Sequence, residues 1–342
     1  MPPTMLAAAV TRAGGPFELL ELPRPEPGPG QVLIQVAACG VCHGDAVCKE
    51  GHWPGLTYPR VPGHEVAGTV AAAGPGVVRW KIGDRVGLGW HGGHCFTCDC
   101  CIRGDFGMCR QRRTTGLSFD GGYAEYCLAP AEALAALPGD LEAAFAAPLM
   151  CAGLTTYNAL RNSGARPGDL VAIQGVGGLG HLGIAYARKM GFRTVAIGRR
   201  RDKQEPALQL GAQHYLDGAA ADPAAALREW GGAQVILATS PDAKAIAALI
   251  GGLAPRGKLI IAGAPHEPLA IPAIALIAGA LTVSGWNSGV AADAEATLRF
   301  SVQSDIRPQI ERFPLSQANE AYERMMTGKV RFRAVLEMNP KK

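Results

Sequence analysis

The chain has 342 residues, 48% of them hydrophobic and 18% charged, with a net charge of +4. That is length and apolar content for two domains with buried cores, and it excludes a disordered or fibrous chain. Its only basic run is Arg199, Arg200 and Arg201, too short to suggest nucleic acid as a partner. The first residues, MPPTMLAAAV, lack the basic start and long apolar stretch of a signal peptide. The longest apolar run, Leu269 to Val283, is too short for a bilayer and contains Pro272, so neither a membrane span nor a membrane partner is expected. The expected compartment is the cytoplasm. There the ten cysteines read as metal ligands or reactive groups rather than disulfides.

Up to about residue 150 the chain is β-rich and irregular. Val32 to Ala37, Val66 to Ala71 and Arg85 to Gly89 are short strand candidates, separated by turn clusters such as Pro25 to Gly30. From Cys151 the texture changes to alternation. Strand candidates Leu170–Ile173, Thr194–Ile197, His214–Leu216, Gln234–Ala238, Lys258–Ala262 and Leu281–Gly285 are separated by helical stretches. This is the βαβ pattern of an α/β, doubly wound parallel sheet. After about Ser288 follow a helix (Ala291 to Ser301), a short strand, a second helix (Leu315 to Met326) and a closing strand, Ala334 to Met338. The expected organisation is therefore residues 1–151, then 152–288, then a segment 289–342 that rejoins the first domain.

The first of the parallel strands runs into Gly175, Val176, Gly177, Gly178, Leu179 and Gly180, a G-x-G-x-x-G that opens a helix. The first glycine permits a tight turn, the second a close approach of backbone to a pyrophosphate, the third close helix–strand packing. The helix N-terminus adds amide groups and a positive dipole end. A glycine-rich turn alone says little, but a strand before it and a helix after it make a dinucleotide site.

Two cysteine sets suggest metal. Cys95, Cys98, Cys101 and Cys109 are spaced C-x2-C-x2-C-x7-C in one loop, which suits a closed tetrahedral structural zinc, with His94 and Cys100 as competing ligands. Cys42, His64 and Cys151 are dispersed, and each alone reads as a core residue. Asp45 and Glu65 close by supply the carboxylates that metal-bound imidazoles use for their second N–H. Two thiolates and one imidazole leave a fourth position open, the pattern of a catalytic zinc. Cys39, Cys48 and Cys127 are assigned no ligand role.

Taken together, CGVCHGD (Cys39–Asp45), GHE (Gly63–Glu65), the four-cysteine loop, PLMCAGLTTY (Pro148–Tyr157) and GVGGLG (Gly175–Gly180) resemble the zinc-dependent alcohol dehydrogenases of the medium-chain dehydrogenase/reductase superfamily, in particular the short microbial yeast-type subgroup. The resemblance implies a GroES-like catalytic domain plus a Rossmann domain, and reversible hydride transfer between a nicotinamide and a small alcohol or carbonyl. It implies a catalytic zinc on Cys42, His64 and Cys151, with Glu65 beside it as a further metal-facing group. It places His43 near the cofactor pyrophosphate, Thr155 near the nicotinamide, Arg333 on the cofactor phosphates, and Trp53 and Trp90 along the substrate pocket. It also implies a homodimer or homotetramer.

The chain departs from the family at two points. The Ser or Thr and the His that usually relay the alcohol proton are Gly44 and Val47, so a water chain, His43 or His52 is expected to serve instead. At the end of the second Rossmann strand, the acid that holds the ribose diol of NAD is Gly198, followed by Arg199, Arg200 and Arg201, which favours NADP(H) while leaving NAD(H) possible. The missing relay makes a reductase of iminium or conjugated C=C substrates the alternative activity, since no alkoxide then needs a proton. Outside catalysis the rival is a nucleotide-binding sensor on an enzyme fold.

Overall fold

A computed structural model describes residues 3–338. The chain divides into two units, Met1–Cys151 together with Gly289–Lys342, and Ala152–Ser288.

The first unit is built on a seven-stranded sheet whose longest member, Gln31–Val41, pairs with Val66–Ala73, Tyr126–Pro130 and Arg333–Glu337. Its interior positions carry Val32, Ile34 and Val36, and β-branched residues of this kind pack well on a pleated, buried surface. Strands Arg85–Leu88 and Leu134–Ala136 extend one side, and Ile310–Pro314 with Arg333–Glu337 extend the other. The last stretch of chain is thus woven into the first unit by backbone hydrogen bonds. A separate hairpin, Thr4–Val10 with Phe17–Pro23, has no counterpart in the sequence-based expectations; its hydrophobic and polar residues alternate too imperfectly to mark it. The strand Tyr126–Pro130 went unmarked for the same reason.

The second unit is a six-stranded, all-parallel sheet, in spatial order His214–Asp217, Arg193–Gly198, Leu170–Gln174, Ala233–Ala238, Leu253–Ile261, Thr282–Gly285. The order reverses direction at Leu170–Gln174, the first strand, and that is where open α/β sheets bind their ligands. Strand Leu170–Gln174 is buried along its whole length, which explains its uninterrupted apolar run. The fifth strand starts at Leu253 rather than Lys258, because a bulge between Ala233 and Val235 lets the pairing continue past the turn. No helix of the described residues is long and apolar enough to cross a membrane.

Candidate metal centres and nucleotide site

Four groups with metal-ligating chemistry meet in the first unit. The ligand atoms of Cys42, His64, Glu65 and Cys151 all lie within 4.8 Å of one another. Each comes from a different local device. Cys42 follows the long strand at the start of a short helix, Asp45–Lys49. His64 and Glu65 immediately precede the strand Val66–Ala73. Cys151 sits in a widened π-type turn, Leu149–Gly153, that begins just after Pro148. Proline has no amide to continue the α-helical ladder, so the turn opens there, and such turns recur at functional sites. The result is a Cys42 Sγ to Cys151 Sγ distance of 3.9 Å. Two thiolates on one tetrahedral zinc with ~2.3 Å bonds would be separated by ~3.8 Å.

The donor set fits a cation. His64 Nε2 and Glu65 Oε2 are buried and have no hydrogen-bond partner, an arrangement that costs free energy unless a ligand completes it. The other nitrogen of His64, Nδ1, lies 2.9 Å from Asp45 Oδ1, which leaves Nε2 to face the metal. The four groups also act on one another's protons. The hydrogen bond from Cys151, helped by His64, holds Cys42 well below the usual thiol range despite its burial, and Cys151 is pushed up in turn. Burial alone would depress His64, but Asp45 and Cys42 outweigh it and raise it well above the usual imidazole range. Burial pushes Glu65 up to about 8, against the pull of Arg333.

Arg333, placed on the cofactor phosphates by the resemblance, is 3% exposed; its Nη2 donates to Glu65 Oε1 and to the Val41 carbonyl, while its Nε has no partner. The cause is register: Ala334 pairs with Val41, so the preceding arginine is drawn in beside Glu65. Gly40 belongs to the same arrangement, since a Cβ there would lie 1.9 Å from Glu65 Oε2.

Gly44, which stands where the family's hydroxyl residue would be, is closely bordered. A Cβ at Gly44 would lie 3.0 Å from both His64 Cε1 and Trp90 Cζ3. Trp90 stands edge-on to His64, with centroids 4.7 Å apart, and Trp53 stands edge-on to Trp90 at 6.5 Å. An indole edge and the His64 ring therefore border Gly44 closely. Trp53 and Trp90 are half-buried, and His43 and His52 are exposed.

The second cluster is local. Cys95, Cys98, Cys101 and Cys109 again have all ligand atoms within 4.8 Å. The sulfur separations are 3.6 Å for Cys95–Cys109 and Cys98–Cys101, 3.9 Å for Cys98–Cys109 and 4.0 Å for Cys95–Cys101. They bracket the ~3.8 Å edge of a tetrahedral zinc–thiolate site. Backbone amides of Cys98 and Gln111 donate to these sulfurs at 3.3 Å. His94 takes no part and stacks on Phe106, with centroids 4.2 Å apart. Cys100 faces Arg103 instead.

In the second unit Gly175 has φ +94 and Gly180 starts the helix Gly180–Lys189. A Cβ at Gly180 would meet the Gly175 carbonyl at 1.7 Å, whereas one at Gly177 would meet nothing within 4 Å. Protein packing therefore demands the first and third glycines, and the second leaves open space for a ligand to approach. Val176 is buried, Gly177 exposed, and Gly178 and Leu179 half-buried at the foot of the helix. Thr155 is buried in the helix Leu154–Arg161. At the end of Arg193–Gly198 a Cβ on Gly198 would meet the Tyr215 hydroxyl at 2.2 Å, so no acid fits there. Arg199 pairs with Asp242 at 2.7 Å and Arg200 with Asp202 at 2.9 Å, all on the surface. A cavity of about 700 Å³ lies beside Arg199, Ser240, Asp242 and Lys244.

The comparisons with known proteins agree with this architecture. Residues 28–139 match the alcohol dehydrogenase GroES-like domain and residues 178–303 the zinc-binding dehydrogenase domain. An alcohol dehydrogenase of Aspergillus sp. is 42% identical over 99% of both chains, and one of Geobacillus stearothermophilus is 38% identical over 98% of this chain and 99% of its own. The crystal structure of CAD from Helicobacter pylori complexed with NADP(H) superposes with a TM-score of 0.89 at 26% identity, covering 100% of both chains. The chain belongs to the zinc-binding alcohol dehydrogenases of the medium-chain dehydrogenase/reductase superfamily, and its activity is that of an NAD(P)-dependent oxidoreductase acting on alcohols and carbonyls.

Proposed function

We propose that this enzyme interconverts a small or flat alcohol and its carbonyl compound, with NADP(H) preferred and zinc held by Cys42, His64 and Cys151. The observation that carries the site is the pair of buried, unpartnered atoms His64 Nε2 and Glu65 Oε2 beside two thiols 3.9 Å apart. When bound, zinc supplies Lewis-acid polarisation of a carbonyl oxygen and the nicotinamide supplies the hydride. Asp45 orients the His64 ring, and Arg333 holds Glu65 at the edge of the ligand set. Trp53 and Trp90 form the aromatic wall against which a substrate would lie. Cys95, Cys98, Cys101 and Cys109 hold a second, structural zinc. Metal analysis of the purified chain should find two zinc ions, and one or none overturns the assignment.

NADP(H) preference rests on Gly198, whose place beside Tyr215 excludes an acid, and on the exposed Arg199 and Arg200. Surface ion pairs of this kind are worth little, so these arginines are free to exchange Asp242 and Asp202 for a 2′-phosphate. Steady-state kinetics should give a higher kcat/KM with NADPH than with NADH, and Arg199→Ala should raise KM for NADPH about tenfold with little effect on NADH, the loss of a charge-assisted hydrogen bond. Equal use of both cofactors by the wild type sinks the preference.

A second substrate class is favoured by the indole over Gly44. Iminium and conjugated C=C reduction leaves no alkoxide to protonate, so these substrates belong in the same screen as aldehydes and ketones. We also propose pairing of two chains across Thr282–Gly285, the edge strand of the six-stranded sheet, next to exposed Ile274 and Ile277. Sedimentation of a monomer at micromolar concentration would refute it.

A further inference from the structure

Tyr123 lies outside the ligand set and is fully buried. Its hydroxyl donates to Asp45 Oδ2 at 2.8 Å. The same oxygen accepts the Cys42 amide at 2.9 Å, while Asp45 Oδ1 faces His64 Nδ1 at 2.9 Å. Asp45 thus ties together two of the ligand-bearing residues, and Tyr123 is the side chain that fixes Asp45 from outside. The tyrosine is itself immobilised. Its ring packs edge-on against Phe17, with centroids 5.7 Å apart, and Phe17 packs edge-on against Tyr322 at 5.3 Å. Its backbone amide donates to the Pro62 carbonyl at 3.0 Å, and the amides of Gly121 and Gly122 donate to Val61 and Gly63. The segment leading into His64 is therefore clamped by the backbone of 121–123 on one side and by the Tyr123 ring on the other.

The glycine before His64 is explained by the same contact. Gly63 has φ +100, and a Cβ on it would lie 2.4 Å from Tyr123 Cδ1 and 2.9 Å from Cys39 Sγ. Both the backbone conformation and the room are available only to glycine. Gly122 is confined in the same way, with Val66 Cγ2 at 2.4 Å and Cys39 Sγ at 2.9 Å from its Cβ position.

We propose that Tyr123 is a positioning residue for the catalytic metal, the end of a buried Tyr123–Asp45–His64 hydrogen-bond chain that sets how firmly the Cys42/His64/Cys151 site holds its ion. This rests on those residues binding zinc. Partners beyond the ligands orient them, and losing one typically costs 10–100-fold in metal affinity. Such a chain also gains from its dry surroundings, where each bond polarises the next. Cys39, the thiol packed between Gly63 and Gly122, is a buried filler with its pKa raised well above the usual thiol range by burial, and it serves no ligand role here.

The test is Tyr123→Phe, which removes one oxygen and keeps the ring. Zinc release to a chromophoric chelator is followed in both chains, with the four-cysteine site as internal control, and the cobalt-substituted proteins are compared by absorption. One of the two ions should leave about tenfold faster from the variant, the other at an unchanged rate, and the thiolate-to-cobalt and d–d bands of the two-cysteine site should shift while the melting temperature changes little. Gly63→Ala, which strains the backbone beside His64 at φ +100 and crowds the Tyr123 ring, should loosen the same ion. Unchanged release and unchanged cobalt bands in Tyr123→Phe overturn the proposal. So does loss of both ions together from both variants, which would make the tyrosine a general fold residue. A Cys42→Ser chain that holds as many ions as the wild type overturns the catalytic-site assignment itself, and this inference falls with it.

Discussion

The two cysteine clusters obey the same coordination chemistry and are assembled in opposite ways. In Cys95–Cys109 every ligand lies in one loop, and the only elements between them are the short helix Asp99–Ile102 and a single turn at Phe106–Met108. In the other cluster Cys42 and Cys151 are 109 positions apart, and three separate elements must pack before the ligands meet. The local cluster closes its coordination with four thiols and has nothing left to offer a substrate. The dispersed one combines two thiols, an imidazole and a carboxylate, all embedded in charged partners: Asp45 on His64, Arg333 on Glu65. A site assembled from distant segments can be surrounded by residues that tune it, whereas a site in one loop mainly staples that loop.

Substitutions at four sites of the two clusters and their surroundings, one of them with a compensating change at Trp90, sharpen or break this contrast. The largest effect is expected from Cys42→Ser, which should reduce turnover to background while one zinc and most of the melting temperature survive. Retained turnover would mean the dispersed cluster is not the reaction centre. Cys95→Ser should act in the reverse sense, with zinc content and thermal stability falling together, because a structural ion contributes folding free energy. Unaltered melting in a chain that has lost that ion would remove the staple role.

Arg333→Met tests the charged surroundings. It leaves Glu65 buried without its cation, and breaking such a pair costs about 3 kcal/mol, near the low end of the usual range because Glu65 can take up a proton. Urea unfolding of the variant with no loss of stability would show that the ion pair is dispensable. The smallest effect concerns Gly44. Gly44→Thr alone should lower alcohol oxidation and loosen the catalytic ion, since its Cβ presses on His64 and Trp90. Gly44→Thr with Trp90→Leu makes room for the hydroxyl and should recover the lost activity. Higher activity in the single variant than in the double would contradict the packing account.

Much of this molecule was legible in its residues because much of its chemistry is local. The glycine triplet Gly175, Gly177 and Gly180 needs only the strand before it and the helix after it, and the four-cysteine spacing needs only a loop. Buried strands such as Leu170–Gln174 announce themselves by an unbroken apolar run. The hairpin at Thr4–Pro23 did not, as its alternation is irregular. What tertiary structure alone decided are the contacts between segments remote in sequence. Tyr123 reaches Asp45 across 78 positions and Arg333 reaches Glu65 across 268. Neither has a spacing signature, because nothing about a tyrosine after two glycines, or an arginine at the start of a strand, specifies which carboxylate it will find. Trp90 beside Gly44 is of the same kind: the sequence marks a missing hydroxyl, and only packing reveals that an indole edge borders that position. Local chemistry is written in spacing, while partners joined by strand register and core packing are settled when the sheet closes.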